Sequence, residues 1–343
     1  MSDPLMLQET REAPSVVRRL LQENQQRVDT LWQVIQERQP LFAVTIARGS
    51  SDHASLYLKY AIELTLGIPV ASFAPSVSSV YHKTLNLQRG LVIAISQSGA
   101  SPDVVESVKA ARASGAITLA ITNNVDSPLA SAAEFLLPMQ AGPEKAVAAT
   151  KSFVASAAAF LHLLGEADPE LKAALHTLPD VQEKALQLED SLRLTADRYR
   201  YASSMVILAR GPHFGIAHES ALKLKETTGI HAEAYSTAEF SHGPTRIIEQ
   251  GFPILAYQTR DVTQPLNEEA YKDLEGRGAD LLTIGASSLL NRATQVITPP
   301  ADHPLLDPLV NILPFYLFSG YVALARNLNP DNPPHLKKVT LTR

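Results

Sequence analysis

Residues 91–122 read LVIAISQSGASPDVVESVKAARASGAITLAIT. Leu91 to Ile95 is a short apolar run of strand length, and a serine-rich turn follows it. Pro102 then stands at the first position of a helical stretch, Asp103 to Ser114, where its missing N–H does no harm. Ile117 to Thr122 is apolar again, so the order is strand, helix, strand. Continuously apolar strands joined by helices are buried on both faces, which implies a parallel, doubly wound sheet. Working outward, Leu41 to Ala47 (LFAVTIA) reads as a further strand, Leu56 to Leu66 as a helix, and residues 15 to 38 as a polar, helix-prone arm.

The pattern recurs. Ala47-Arg48-Gly49 closes the first strand, and Ala209-Arg210-Gly211 closes the apolar run Met205 to Leu208. Gly67 and Gly229 follow their Ala-Arg-Gly glycines at the same interval, and Gly115-Ala116 is echoed by Gly278-Ala279 before LLTIG. Order and spacing held over such a length argue for duplication. The expected fold is therefore α/β, as two tandem flavodoxin-like, doubly wound parallel-sheet subdomains. The divisions are a helical arm over 1–39, subdomains over 40–165 and 197–325, and a helical linker over 166–196. A C-terminal tail over 326–343 completes the chain, and its proline-rich end NPDNPPHLKKVTLTR (329–343) is expected to be disordered.

The 343 residues suit about two domains at ~150 residues each, and 45% hydrophobic content can fill their cores. Thirty basic against thirty-five acidic side chains give a net charge of −5, without the basic excess that a nucleic-acid partner requires. No cysteine is present, which removes disulfides, thiolate zinc sites and a thiol nucleophile, and fits a reducing cytoplasm. The N-terminus has no basic region ahead of an apolar one, so it is not read as a secretory signal. Pro308 to Ala325 is apolar enough to suggest a membrane span, but Asn311, Pro314, Ser319 and Gly320 favour a buried or dimer-facing helix.

Ser96-Gln97-Ser98-Gly99-Ala100-Ser101 puts three hydroxyls and free backbone N–H groups at a helix start, a setting suited to a phosphate monoester without arginine. The simpler alternative is a loop whose serines only cap the backbone. Gly49-Ser50-Ser51 occupies the matching strand end. Ala146 to Lys151, with Thr150, offers another hydroxyl or merely another helix start. Over Ile216 to Thr228, helical spacing gathers Ala217, Ala221, Leu224 and Thr228 on one face and Glu219, Lys223 and Glu226 on the other. An exposed ion-pair stripe is the simpler account of the second face; the functional account makes one carboxylate a general base beside a lysine. His231-Ala232-Glu233 has the H-x-E form of zinc deaminases but lacks their cysteine element, so no metal is expected. His242, before Gly243-Pro244, sits on a turn accessible to proton transfer.

Taken together, SQSG, ESALKLKE, IHAEAYSTAEFSHGP and the tail Leu336-Lys337-Lys338 resemble the sugar isomerase (SIS) family. The likeness is to its double-SIS members, such as the isomerase half of glucosamine-6-phosphate synthase, and runs from the Ala47-Arg48-Gly49 segment to the C-terminus. The resemblance implies that Ser96, Gln97, Ser98 and Ser101 hold a sugar phosphate, with Ser51 and Thr150 nearby. It implies Glu226 as the base between C1 and C2, His242 as the ring-opening acid/base and Lys338 as the lysine meeting the open-chain carbonyl, with Glu219 and Lys223 as supports. Ala149 replaces a family serine, and Lys337 competes with Lys338 for the tail role. The resemblance also implies a homodimer sharing its active sites, with Pro308 to Ala325 as an association surface.

Only a short arm precedes the first strand and no cysteine is present, so glutamine is not expected as the ammonia source. The expected activity is therefore glucosamine-6-phosphate deamination to fructose 6-phosphate and ammonia, with no cofactor. The alternatives are a fructosamine-6-phosphate deglycase, a phosphosugar aldose–ketose isomerase, or a sugar-phosphate-sensing regulator, for which the arm is too short to supply a DNA-binding module.

Overall fold

The computed structural model describes residues 3–286, 290 and 293–338. The chain begins with α1 (Leu5–Arg11) and α2 (Ala13–Arg38). The first repeat follows as β1 (Phe42–Ile46), α3 (Ser50–Leu66), β2 (Val70–Ser72), α4 (Ser76–Ser79), β3 (Gly90–Ile95), α5 (Pro102–Ala113), β4 (Ile117–Thr122), α6 (Pro128–Ala132), β5 (Phe135–Pro138) and α7 (Lys151–Leu164). After α8 (Pro169–Leu186) and α9 (Glu189–Asp197) comes the second: β6 (Ser204–Ala209), α10 (His213–Lys223), β7 (His231–Ser236), α11 (Thr237–Phe240), β8 (Pro253–Tyr257), α12 (Gln264–Gly276), β9 (Asp280–Gly285), β10 (Thr294–Ile297) and α13 (Asp307–Ala325).

Both sheets are parallel and five-stranded, in the orders β2-β1-β3-β4-β5 and β10-β9-β8-β6-β7. Counted within each repeat, both orders are 2-1-3-4-5, the flavodoxin-like winding. Chain order therefore reverses between β1 and β3, and again between β6 and β8, and folds of this winding bind ligands at the carboxyl ends of the strands beside such a reversal. The central strands β3 and β4 are buried at every residue, as strands with helices on both faces must be. The edge strands β2, β5, β7 and β10 lie outside the sequence expectation. They are short or mixed in polarity, as exposed edges commonly are.

The chain forms two compact units. One comprises Met1–Pro14, Lys145–Thr150 and Thr177–Leu336, and the other Ser15–Glu144, Lys151–His176 and Lys337–Arg343. In the second of these, α2 buries Val16, Val17, Leu20, Val28, Leu31 and Ile35 at helical spacing.

In the first unit, α13 is the core helix. Pro304–Ala325 is long and apolar enough to cross a membrane by composition, yet most of it is buried inside the fold. The expectation that this segment offers an association surface is therefore corrected: its side chains are taken up by the chain's own core. Gly320 lies where α1 crosses, and a Cβ there would overlap Leu7. The end expected to be disordered is also corrected over 329–338. Asp331 accepts the Leu5 and Met6 N–H groups at 2.8 Å each, and its carbonyl accepts that of Val147 at 3.0 Å. Residues 339–343 of the tail lie outside the described residues.

Candidate active site

In the unit that carries the first sheet, the serine loop leaves β3 and is moored to β4. Ser96 donates its N–H to Ile121 O at 3.1 Å, and Gln97 O accepts from Asn123 N at 3.1 Å. Gly99 adopts φ 64°, and a Cβ there would overlap Ser127 Oγ, so the turn requires glycine twice over. Ser96 Oγ accepts Gly99 N–H at 3.1 Å and Ser98 Oγ accepts Ala100 N–H at 3.3 Å. Each hydroxyl is thereby aimed by the backbone while its own proton meets no acceptor among the described residues. Ser101 occupies the N-cap of α5 without a side-chain capping bond, and Pro102 follows at the helix start. Ser96 and Ser98 thus cap the loop backbone, as the simpler alternative has it, and keep a hydroxyl proton available for donation.

Ser51 is half-buried in the first turn of α3, after Gly49 at φ 55°. Sequence reasoning missed what joins these two loops. Arg48 donates to Asp103 Oδ2 from Nη2 at 2.8 Å and Nε at 3.1 Å, and the Asp103 side chain is fully buried. The guanidinium offsets the charge of this buried carboxylate at the start of α5. Beside it, burial pushes the Asp52 carboxyl up from its ordinary value, opposed by His53 and Arg48.

The same unit fixes the tail lysine. Lys338 Nζ donates to Glu144 Oε2 at 2.6 Å, and the fully buried Glu144 carboxylate also accepts Ser152 N–H at 3.0 Å and Ser152 O–H at 2.7 Å. Lys337 is exposed, so the pair distinguishes the two lysines. Glu144 went unremarked in the sequence, although Gly142-Pro143-Glu144 ahead of a serine-bearing helix was the available signal. Thr150 is fully buried immediately before α7, in the helix-start position.

In the other unit, α10 runs to Lys223 and then widens into a π-helical turn over Leu224–Thr228, closed by Gly229 at φ 71°. Such turns inside α-helices are rare and gather at functional sites. The face expected to be an exposed ion-pair stripe is buried instead: Lys223 is 1% and Glu219 0% exposed, whereas the Glu226 side chain keeps 23%. Lys223 Nζ lies 3.5 Å from Glu219 Oε1 and bonds Glu226 Oε2 directly. The cause is α13, which packs over this face. Tyr316 O–H donates to Glu219 Oε1 at 3.2 Å, and Ser319 and Thr227 hydroxyls pair at 2.8 Å. A buried ammonium between two carboxylates, one of them reaching solvent, can serve a base that must be both charged and accessible.

His242 is exposed on the turn after α11, its N–H donated to Glu239 O at 3.0 Å. No hydrogen bond or ion pair among the described residues joins it to Glu226. The structure therefore assembles Glu219, Lys223 and Glu226 in one unit, and Lys338 with Glu144 in the unit that carries the serine loop, while His242 stands apart on its turn.

A model of the SIS domain matches residues 42–164 and 199–326. The chain is 35% identical over 341 residues to glutamine–fructose-6-phosphate aminotransferase (isomerizing) of Methanothermobacter thermautotrophicus, covering 98% of this chain and 57% of that protein. The chain thus spans little more than half the length of that curated relative. Among solved structures, a candidate phosphosugar isomerase from Silicibacter pomeroyi superposes with a TM-score of 0.89 at 40% identity, over 96% of this chain and 100% of that one. The C-terminal domain of glucosamine-fructose-6-phosphate aminotransferase from Francisella tularensis shares the fold, with a TM-score of 0.87 at 24% identity over 97% and 99%. With two matched segments coinciding with the two sheets and their helices, the chain belongs to the SIS-domain family and carries the domain twice.

Proposed function

We propose that this protein is a phosphosugar aldose–ketose isomerase that acts on an amino-sugar phosphate and releases ammonia, a glucosamine-6-phosphate deaminase. The observation that carries the isomerase chemistry is the buried Lys223 held between Glu219 and the partly exposed Glu226 on the π turn. In this reading the serine loop takes the phosphate through Ser96, Ser98 and Ser101. His242 opens the pyranose, and Glu226 removes the proton from C2 of the open-chain aldose. The electron pair moves into an enolamine, and Glu226 returns the proton to C1, leaving an imine at C2. Water adds to that imine and ammonia departs, giving fructose 6-phosphate. Lys223 supplies counter-charge to the base, and Lys338, held by Glu144, supplies a donor for the sugar oxygen.

The release of ammonia has a separate support. The chain contains no cysteine, so its residues include no thiol with which to hydrolyse glutamine, and ammonia itself is the nitrogen species they can handle. A plain phosphosugar isomerase is the second reading, favoured by the description of the relative from Silicibacter pomeroyi at 40% identity.

The test is ammonia release, together with solvent-deuterium incorporation at the sugar carbon, across a panel of amino-sugar and neutral sugar phosphates. Glucosamine 6-phosphate should yield both signals. Glu226→Gln should bind substrate and lose both, since the amide keeps the shape but accepts no proton. Exchange with neutral sugar phosphates and no ammonia from any amino sugar would leave the isomerase reading and remove deamination. Wild-type exchange in Glu226→Gln would assign the base elsewhere.

A further inference from the structure

The two repeats keep the same length through the loop that binds ligands in folds of this kind. β3 ends at Ile95 and α5 begins at Pro102; β8 ends at Tyr257 and α12 begins at Gln264. The offset that separates Ala47 from Ala209 therefore runs unbroken through both loops, and Ser96, Gln97, Ser98 and Gly99 correspond to Gln258, Thr259, Arg260 and Asp261. A hydroxyl in the first repeat is replaced by a guanidinium in the second, at the same reversal of strand order.

That guanidinium is already engaged. Arg260 Nε donates to Asp307 Oδ2 at 2.8 Å and Nη2 donates to Asp307 Oδ1 at 2.8 Å, a two-pronged pair, while Nη2 also reaches Ala301 O at 2.6 Å. Asp307 is 4% exposed, and its Oδ1 further accepts Ala301 N–H at 3.0 Å. The start of α12 is likewise supplied from within: Asp261 Oδ1 accepts Thr263 N–H at 2.8 Å and Thr263 O–H at 2.5 Å. The fork of an arginine fits a carboxylate and a phosphate alike. Arg260 with Asp261 and Asp307 carries net negative charge, whereas residues 96–101 carry none.

We infer that the second repeat holds a latent phosphate site filled by the chain's own Asp307 carboxylate, so that phosphosugar binds once per chain, at the serine loop. The stand-in carboxylate is the first residue of α13, the helix that carries Tyr316 to Glu219 and Ser319 to Thr227. What is a ligand contact in one repeat has become, in the other, an anchor for the helix behind the buried triad. The inference concerning stoichiometry rests on the serine-loop reading proposed above; the filled second site stands on its own geometry.

The experiment measures thermal unfolding of the full chain in inorganic phosphate against chloride at equal ionic strength. Ser98→Ala silences the first loop and should remove most of the wild-type response; an undiminished response counts against the serine-loop reading alone. In that background, Asp307→Ala vacates Arg260. The double variant should regain a phosphate-dependent rise of about 2–4 °C when phosphate exceeds its dissociation constant ten- to a hundredfold. Adding Arg260→Ala should abolish it. Asp307→Asn, which keeps the side-chain shape, serves if Asp307→Ala does not fold, and should show a smaller rise. A flat response in the Asp307 variant that folds overturns the inference, as does a response that survives loss of Arg260.

Discussion

Replacing Lys223 by methionine removes the ammonium and keeps a side chain of similar length. Two carboxylates then face each other without that cation. Glu226 reaches solvent and is screened, so the penalty falls on Glu219, which is fully buried. Tyr316 O–H at 3.2 Å offsets part of it, as a neutral donor to one oxygen. Breaking a buried ion pair from one side typically costs about 3–5 kcal/mol, so Lys223→Met should lose about that much stability. With a urea dependence of about 2–3 kcal/mol per molar, the unfolding midpoint followed by far-UV circular dichroism should fall by about 1.5 M. The double variant Glu219→Gln/Lys223→Met removes the buried negative charge as well. It should recover at least half of the loss, because the penalty belongs to the carboxylate left behind more than to the missing contact. A shift under about 0.5 M in the single variant, or simple additivity in the double, would refute the reasoning that the triad is one buried charge system.

Ser98→Ala should raise the Michaelis constant for the phosphosugar roughly tenfold if it removes ~1.5 kcal/mol of charge-assisted bonding, with turnover largely kept; steady-state kinetics read this directly. Burial pushes His162 and His213 down to about 4 each. The unfolded chain takes up both protons near pH 6.5 while the folded chain does not, so their contribution is complete above that pH. It should be lost progressively as pH falls toward 4, by about 3 kcal/mol per histidine, and His213→Gln should flatten the slope of stability against pH in this window. If His242 serves a second copy's Glu226, refolding Glu226→Gln together with His242→Ala should restore roughly a quarter of wild-type activity, since about half the dimers are mixed and each has one intact site. No recovery despite proven mixing rules out the shared arrangement.

Residues 91–122 and their echo in the second half of the chain determine the layered α/β fold by themselves, because apolar runs of strand length joined by helical spacing have few ways to bury both faces. The serine loop is equally local: three hydroxyls, a glycine and a proline between Ser96 and Pro102 dictate a turn into a helix. The strand Pro253 to Tyr257 lay outside the sequence expectation although its apolar run is as strand-like as the others, and no physical reason hides it. The edge strands are different, since His231–Ser236 and Val70–Ser72 owe their conformation to a neighbouring strand more than to their own residues. The triad marks the boundary most clearly. Spacing placed Glu219, Lys223 and Glu226 on one face, but whether that face meets water or protein depends on α13, far along the chain. Arg48 with Asp103, Lys338 with Glu144 and Arg260 with Asp307 are pairs of the same kind. Charge pairs distant in sequence leave no periodicity along the chain, so only the tertiary structure decides which carboxylate each cation meets.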